Sequence, residues 1–179
     1  MTDIVLPAGA VPTLETERLR LRGHRMNDLE PCAAMWADPL VTRHIGGRPF
    51  SREEVWSKIL RYAGLWSLLG FGYWVAEDKA TGEFLGEGGF ADFKRDVRPS
   101  IEGMPEIGWA LVPSAHGKGL ATEAVRTVCA WGDSHFGGKP TVCMIDPENI
   151  ASVWVAKKCG YQEFQRASYK DHQTVLYRR

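Results

Sequence analysis

The stretch that decides the fold is Glu106–Ala124, which reads EIGWALVPSAHGKGLATEA. Its first part, residues 107–112, is a short apolar run stopped by Pro113, a pattern typical of a buried strand. From Leu120 onward the apolar residues recur at three- and four-residue steps, which predicts a helix. The turn between them, His116–Gly119, contains two glycines. Because glycine lets the backbone approach a ligand and the first amides of a helix lack internal partners, this junction predicts an anion site, and phosphate is its natural ligand.

A Gly-x-Gly turn by itself does not say which phosphate is bound. The phosphate-loop NTPase pattern needs four residues between its glycines, followed by Lys and Ser or Thr, and that spacing is absent. The dinucleotide fingerprint needs a third small residue where Thr122 stands and an acidic residue about twenty positions later, whereas Asp133 comes too early. The pattern therefore disfavours a Rossmann-type oxidoreductase.

A second stretch, Val142–Tyr161, adds the context that the glycine turn lacks. It reads VCMIDPENIASVWVAKKCGY and predicts a strand, a proline-containing turn and a helix that begins at Asn149 and stops at Gly160. Taken alone, Asn149 and Ser152 are simply good capping residues. Following the glycine turn and its helix, they complete a distinctive order of strand, turn, helix, strand and Asn-x-x-Ser helix.

This order resembles the GNAT superfamily of acetyl-CoA-dependent N-acetyltransferases, and within it the branch of the ribosomal-protein N-terminal acetyltransferases. Three stretches support the branch: LETERLRLR at Leu14–Arg22, EIGW at Glu106–Trp109 and NIAS at Asn149–Ser152. The resemblance covers about residues 13–177. It implies an α+β fold with a strongly twisted mixed sheet of about seven strands, flanked by about four helices.

The rest of the chain fits that fold as one domain, residues 1–179, with residues 1–12 expected to be a poorly ordered extension. Arg18–Arg22 alternates like an edge strand, Asn27 or Asp28 can cap a first helix, and Ser51–Glu54 has the signature of a capping box. The predicted order is β-α-α-β-β-β-α-β-α-β-β. The later strands are expected at 71–77, 83–93, 161–168 and 173–177.

Composition excludes several classes of protein. Lys plus Arg and Asp plus Glu both number 22, so no net basic charge favours nucleic acid as a partner. The four cysteines form no Cys-x-x-Cys pair, which disfavours a metal site or a disulfide framework. The start of the chain lacks the features of a signal peptide, and the longest uncharged stretch, Tyr62–Ala76, is too short to cross a bilayer. We expect a cytoplasmic protein without a metal or a membrane partner, either a monomer or a homodimer.

The resemblance implies acetyl-CoA as co-substrate and assigns residues to it. The pantetheine arm is expected to bond the strand backbone at Leu111 and Val112, and Asn149 and Ser152 are expected to hold the pantetheine or a water. Ser114 stands where the family often has Gln or Arg, so the backbone should carry more of the phosphate binding. The pyrophosphate is expected to bind the backbone donors of His116, Gly117, Lys118, Gly119, Leu120 and Ala121.

Catalysis needs a neutral amine and a stabilised thiolate. Glu106, at the start of the strand expected to hold the acetyl group, is the candidate base, with a solvated strand-end carboxylate as the equal alternative. Glu87 and Glu102 are weaker candidates. Many family members use a Tyr where this chain has Ala156, so the resemblance assigns thiolate stabilisation to the Ser152 hydroxyl instead.

The acceptor is predicted to be a peptide N-terminal α-amine. An α-amine is roughly a tenth neutral at pH 7, whereas a lysine-type amine is neutral to about one part in a thousand, so the α-amine needs far less help from a base. The alternatives are a small-molecule amine (a polyamine, an aminoglycoside or an amino-acid derivative) and a non-catalytic CoA-binding protein. The segment His44–Phe50 is expected to line the acceptor site, with Trp36, Trp66 and Trp74 as a candidate aromatic slot.

Overall fold

The computed structural model describes residues 11–179, so most of the extension expected at residues 1–12 lies outside it. A mixed sheet of eight strands has the order β1-β2-β3-β4-β5-β6-β8-β7. The strands are β1 Leu14–Glu15, β2 Leu19–Arg22, β3 Tyr73–Asp78, β4 Phe84–Ala91, β5 Glu106–Leu111, β6 Val142–Ile145, β7 Gln162–Tyr169 and β8 His172–Arg178. The helices are α1 Leu29–Ala37, α2 Pro39–Thr42, α3 Arg52–Leu69, α4 Leu120–His135 and α5 Ile150–Lys158.

The α+β fold class is confirmed, and the counts differ slightly from those expected. The described residues form eight strands and five α-helices. The extra strand is the two-residue β1 and the extra helix is the single turn of α2, neither of which was predicted. No helix among these residues combines the length and the apolar character needed to cross a membrane.

The prediction of Arg18–Arg22 as an edge strand was wrong. β1 pairs with β2 on its outer side, with Leu14 opposite Leu21, and β3 pairs with it on the other. The sheet edges are therefore β1 and β7. The alternation itself was correct, since Leu19 and Leu21 are both buried.

The two predicted caps have different outcomes. Ser51 and Glu54 form the capping box of α3, with the Ser51 N–H donating to Glu54 Oε2 at 2.8 Å and the Glu54 N–H donating to Ser51 Oγ at 3.2 Å. Asp28 precedes α1 but makes no side-chain cap for it. Its carboxylate accepts both Nη groups of Arg22, at 2.8 and 2.9 Å, and the backbone N–H of Arg25 at 2.6 Å, so it is bonded ahead of the helix instead of at its first amides.

The sheet has two unlike faces, because residues opposite each other on paired strands point to the same side. The apolar face packs against α4 and α5 through side chains such as Trp74, Phe90 and Ile107. The other face lies under α1, α2 and α3. It carries Arg22, Glu77, Glu87 and Glu106 among its buried residues, and we call it the charged face.

β5 and β6 are the one parallel pair of neighbouring strands in this sheet, and they meet at a single point. Their register has one pair, Glu106 with Val142, although the opposite edge of β5 is paired with β4 along its whole length, from Ala91–Glu106 to Gly86–Leu111. Beyond Glu106 the two strands therefore separate. A gap opens in the sheet toward the end of β5 that leads to the glycine turn.

Candidate active site

The backbone of β5 presents hydrogen-bonding groups to this gap. The Val112 N–H donates to the Leu85 carbonyl on β4, at 2.9 Å. Because successive residues of a strand point their backbone groups to opposite edges, those of Leu111 and Trp109 face the gap. Leu111 was predicted here. Trp109 was not, although the same alternation from Val112 identifies it.

Val112 was predicted to bond the pantetheine arm through its backbone, but the structure gives those backbone groups other partners. Its N–H is bonded to Leu85, and its carbonyl accepts the Ala115 N–H at 2.9 Å. Both backbone groups are therefore used within the chain.

The turn that follows has the features of an anion site. Gly117 and Gly119 take left-handed backbone conformations, with φ of 72° and 77°, which residues other than glycine rarely adopt. Gly119 is the N-cap of α4 and supplies no capping side chain, so the first amides of the helix, from Leu120 onward, have no internal partner. The residues of the turn are exposed, and the positive end of the α4 dipole lies beneath them.

His116 is the exception within the predicted phosphate set. Its ring Nε2 lies 2.9 Å from the Leu111 carbonyl oxygen, and its backbone N–H donates to the Pro113 carbonyl at 3.1 Å. The imidazole therefore folds back on the end of β5 instead of pointing to the turn. Gly117, Lys118, Gly119, Leu120 and Ala121 stay at the open turn and helix start.

A contact that the sequence did not reveal holds this turn in place. The Arg18 guanidinium donates to the Lys118 carbonyl at 2.9 Å and to Glu123 Oε2 through Nε at 2.7 Å. Glu123, in the first turn of α4, also accepts the Thr16 hydroxyl at 2.5 Å. We call this group of four residues the Arg18 clasp. It ties the LETERLRLR stretch to the glycine turn and orients the Lys118–Gly119 peptide.

The start of α5 forms the far side of the gap. Asn149 caps the helix, its Oδ1 accepting the Ser152 N–H at 3.1 Å, as its capping pattern predicted. Ser152 is partly buried in the first turn. Just before them, Asp146 Oδ2 lies 2.8 Å from Nδ1 of His44, which joins the loop after α2 to the end of β6.

Glu106 lies where β5 and β6 part. It is buried and forms a bidentate pair with Arg95, with Nε to Oε2 at 2.6 Å and Nη2 to Oε1 at 2.9 Å. Each carboxylate oxygen keeps a second lone pair, so the group can still accept a proton or bind a water. A cavity of about 120 Å³ lies beside it, lined in part by Phe93, Ser100 and Glu102.

Tyr73 also reaches this point, and sequence reasoning missed it. A Cβ placed on Gly108 would lie only 2.2 Å from the Tyr73 hydroxyl, so the phenol rests directly on the β5 backbone. Its ring stacks on Tyr62, with ring centroids 4.3 Å apart, and burial raises the pKa of Tyr73. A glycine inside an apolar strand is the signal that could have indicated this close approach.

Glu87, a weaker candidate base, is instead fully enclosed. Its carboxylate accepts the Trp36 Nε1–H at 3.0 Å and lies 3.3 Å from His24 Nε2 and 3.7 Å from Cys32 Sγ. Burial acts to raise the pKa of Glu87, but the hydrogen bonds and electrostatic interactions with His24, Lys58 and Tyr62 together outweigh it, so the pKa is lowered. Glu87 therefore stays charged and bonded within the charged face.

The prediction of an aromatic slot was wrong for Trp66 and Trp74, which do not lie beside Trp36. Trp66 and Trp74 pack edge to face, with centroids 4.7 Å apart, in the core of the apolar face. Trp36 alone lies on the charged face, where it stacks on Phe50 of the loop before α3, with centroids 5.2 Å apart.

The family model of the acetyltransferase (GNAT) domain matches residues 18–162. The protein YkkB of Bacillus subtilis is 39% identical over 154 residues, which cover 82% of this chain and 83% of YkkB. The N-acetyltransferase p20 of Bacillus licheniformis is 29% identical over 84% of this chain and 83% of its own. The chain therefore belongs to the GNAT acetyltransferase family. It is an N-acetyltransferase, as the resemblance implied.

Solved structures agree with this assignment. An acetyltransferase from Agrobacterium tumefaciens superposes with a TM-score of 0.82 at 27% identity, covering 95% of both chains. Two more distant structures share the fold. Ribosomal-protein-S5-alanine acetyltransferase from Vibrio fischeri has a TM-score of 0.70 at 18% identity, covering 94% of this chain and 96% of its own. Spermidine N-acetyltransferase from Vibrio cholerae, in complex with CoA and spermine, has a TM-score of 0.72 at 16% identity, covering 92% and 96%.

Proposed function

We propose that this protein transfers the acetyl group of acetyl-CoA directly to the α-amine of a peptide N-terminus, within a ternary complex. The observation that carries the proposal is the gap between β5 and β6, which leads to the glycine turn at the start of α4. A pantetheine arm can fill the gap as an added strand while the pyrophosphate meets the helix amides. Trp109 and the Leu111 N–H supply the strand backbone, and Gly117–Ala121 supply the phosphate donors.

The chemistry assigned to the site uses its own side chains. The amine nitrogen attacks the thioester carbonyl carbon, the C–S bond breaks, and the amine loses a proton to Glu106 directly or through a water. The Ser152 hydroxyl donates a hydrogen bond to the departing thiolate. Arg95 holds the Glu106 carboxylate in one orientation, and the Tyr73 hydroxyl at Gly108 is placed to contact the acceptor.

The choice of a peptide over a polyamine rests on charge, since the shared fold includes enzymes named for each. A polyamine would gain from free carboxylates that hold its several positive charges. On the charged face, Glu87 is bonded to Trp36 and His24, and Glu106 is bonded to Arg95. An α-amine makes no such demand, and its pKa near 8 asks little of the base.

The cofactor assignment is tested at Gly119. Gly119→Asp places a carboxylate against the pyrophosphate, and Gly119→Asn is its nearly isosteric neutral control, which also tolerates the left-handed backbone. We expect acetyl-CoA to raise the melting temperature of the wild type and of Gly119→Asn but not of Gly119→Asp, and NAD and ATP to have much smaller effects. A full shift with Gly119→Asp would show that the phosphate binds elsewhere.

The acceptor is tested by release of the CoA thiol with a mixed panel of N-terminal peptides and small amines. We expect the best peptide to exceed spermidine by more than about tenfold in kcat/KM, equivalent to roughly 1.4 kcal/mol of differential transition-state binding. A higher kcat/KM for spermidine or an aminoglycoside than for every peptide would favour the small-amine alternative. Binding of acetyl-CoA with no turnover of any amine would favour the non-catalytic one.

A further inference from the structure

Lys58, in the middle of α3, has its ammonium group enclosed by aromatic rings. Its Nζ lies 4.1 Å from the ring centroid of Trp36, 5.3 Å from that of Tyr62 and 5.5 Å from that of Phe50. We call these three rings the aromatic box. Desolvation in the box lowers the pKa of Lys58 to about 8, although the negative charge of Glu87 acts in the opposite direction.

No carboxylate among residues 11–179 forms an ion pair with Lys58, and Glu87 acts on it only through longer-range charge. Arg61, one turn further along α3, lies with its guanidinium 5.0 Å from the Phe93 ring centroid and likewise forms no ion pair within that part of the chain. Arg95 lies 4.8 Å from the same ring. Phe93 lines the cavity beside Glu106, so Arg61 and Arg95 stand close to the proposed reacting position. Lys58 is linked to them through Tyr62, whose ring centroid lies 5.3 Å from Lys58 Nζ and 5.9 Å from the Arg61 guanidinium.

The acids of this region do not balance the two cations. Glu106 is paired with Arg95, Glu87 is enclosed by Trp36 and His24, and Asp92 is paired with Lys94 at 2.6 Å. Glu102 lines the cavity from an exposed loop position, and negative charge from Glu102 also acts on Lys94. The ammonium donors of Lys58 and the guanidinium of Arg61 are therefore available to an incoming anionic group.

The geometry points to an acceptor that carries a carboxylate close to its reacting amine. If the proposed function holds, that acceptor is a peptide with acidic residues immediately after its N-terminal residue. A partly desolvated ammonium gains a charge-assisted hydrogen bond from such a carboxylate, whereas a polyamine or a basic peptide meets like charge. The same two cations thus select one class of amine and reject another.

The test is a thiol-release assay with two matched series. One contains peptides that begin Ser-Asp-Glu, Ser-Asn-Gln and Ser-Lys-Lys, and the other contains glutamate, its diamide (glutamine amide, which has no carboxylate) and spermidine. The variants are Lys58→Met, Arg61→Gln and the double substitution. Lys139→Met, at an exposed lysine in the loop after α4, is the matched control. The acetyl-CoA melting shift of each variant verifies that it is folded, and the exposed Arg61→Gln keeps the test decisive if Lys58→Met fails to fold.

We expect the wild type and Lys139→Met to prefer the acidic acceptor over its amide by about tenfold in kcat/KM, and the double variant to lose that preference. Equal rates with acidic and amide acceptors, or a preference that survives in the variants, would overturn the inference. Failure of the proposed function has a different signature. If no peptide is acetylated but glutamate still exceeds its diamide, the peptide acceptor is wrong while the carboxylate requirement stands.

Discussion

The two faces of the sheet bury side chains of opposite character. On the apolar face, Trp66, Trp74 and Trp131 pack against one another edge to face, with centroid distances of 4.7 to 5.6 Å. On the charged face, Arg22 lies between Asp28 and Glu77, and Glu87 lies beneath Trp36. Buried ion pairs contribute little net stability once their desolvation is counted, whereas buried apolar area contributes directly. The apolar face therefore stabilises the fold, and, on the proposed function, the charged face carries the chemistry.

The largest expected effect tests the apolar half of this comparison. Phe90 is fully buried and packs against Phe136, so Phe90→Ala should lower the free energy of unfolding by about 3–5 kcal/mol. The KM for acetyl-CoA should change little. Urea unfolding measures the first quantity and steady-state kinetics the second. Leu68→Ala, at a leucine that is 84% exposed, is the control and should be nearly neutral. If Phe90→Ala unfolded with the same free energy as the wild type, burial on the apolar face would not be what stabilises the fold.

Glu106→Gln tests the charged half. We expect a loss in rate of about 10² at neutral pH that shrinks as the pH rises, because the acceptor amine then deprotonates without a base. Ser152→Ala should lower the rate more evenly across pH, since thiolate stabilisation does not depend on the amine. Glu102→Gln removes an exposed carboxylate from the same cavity and should have little effect. A pH–rate profile of unchanged shape in Glu106→Gln would reject this residue as the base.

The Arg18 clasp joins the residues before β2 to the glycine turn that follows β5. Arg18→Gln should raise the KM for acetyl-CoA by about tenfold with little change in kcat, because the Lys118 carbonyl loses a charged donor. Arg18→Lys should restore part of the affinity. Arg20→Gln is the matched control, since Arg20 pairs with Glu15 and Glu77 and not with the turn. A fall in kcat at constant KM would assign Arg18 a different role.

The smallest expected effect concerns the free energy that is lost when the Lys58 ammonium is buried in the folded protein. At pH values below its folded pKa of about 8, Lys58 is charged in both states and the folded protein bears the desolvation cost. Between about pH 8 and 10.4 the unfolded chain binds the proton that the folded protein has released, so the free energy of unfolding rises with pH. Lys58→Met should remove that rise and increase the melting temperature at pH 7 by about 2–4 °C. Calorimetry at pH 7 and 9.5, with Lys139→Met as control, measures both. A Lys58→Met protein that melts lower at pH 7 would show that the ammonium stabilises the aromatic box.

Apart from the fold class, which came with the family resemblance, the features predicted correctly from sequence are local ones. The glycine turn, the start of α4 and the Asn149 cap depend on neighbouring residues, so spacing and residue type suffice to find them. The side-chain partnerships could not be predicted in the same way. Arg18 and Glu123 are 105 residues apart and Trp36 and Glu87 are 51 apart, and nothing in a periodic pattern says which charges will meet after folding. The failed Asp28 cap shows the same limit, because its carboxylate is bonded to Arg22 and to the Arg25 N–H ahead of the helix.

The Arg18 clasp also means that the proposed cofactor site is not a segment that can be transferred or shortened without loss. Every residue predicted from sequence to bind acetyl-CoA lies between Leu111 and Ser152, which suggests a self-contained segment. The Lys118 carbonyl of its turn, however, is bonded to Arg18, and Glu123 in the following helix is bonded to Thr16 and Arg18, which are synthesised about a hundred residues earlier. A chain shortened to begin at Leu19, or the segment from β5 to α5 grafted onto another protein, would keep all of those predicted residues and lose the contact that holds them.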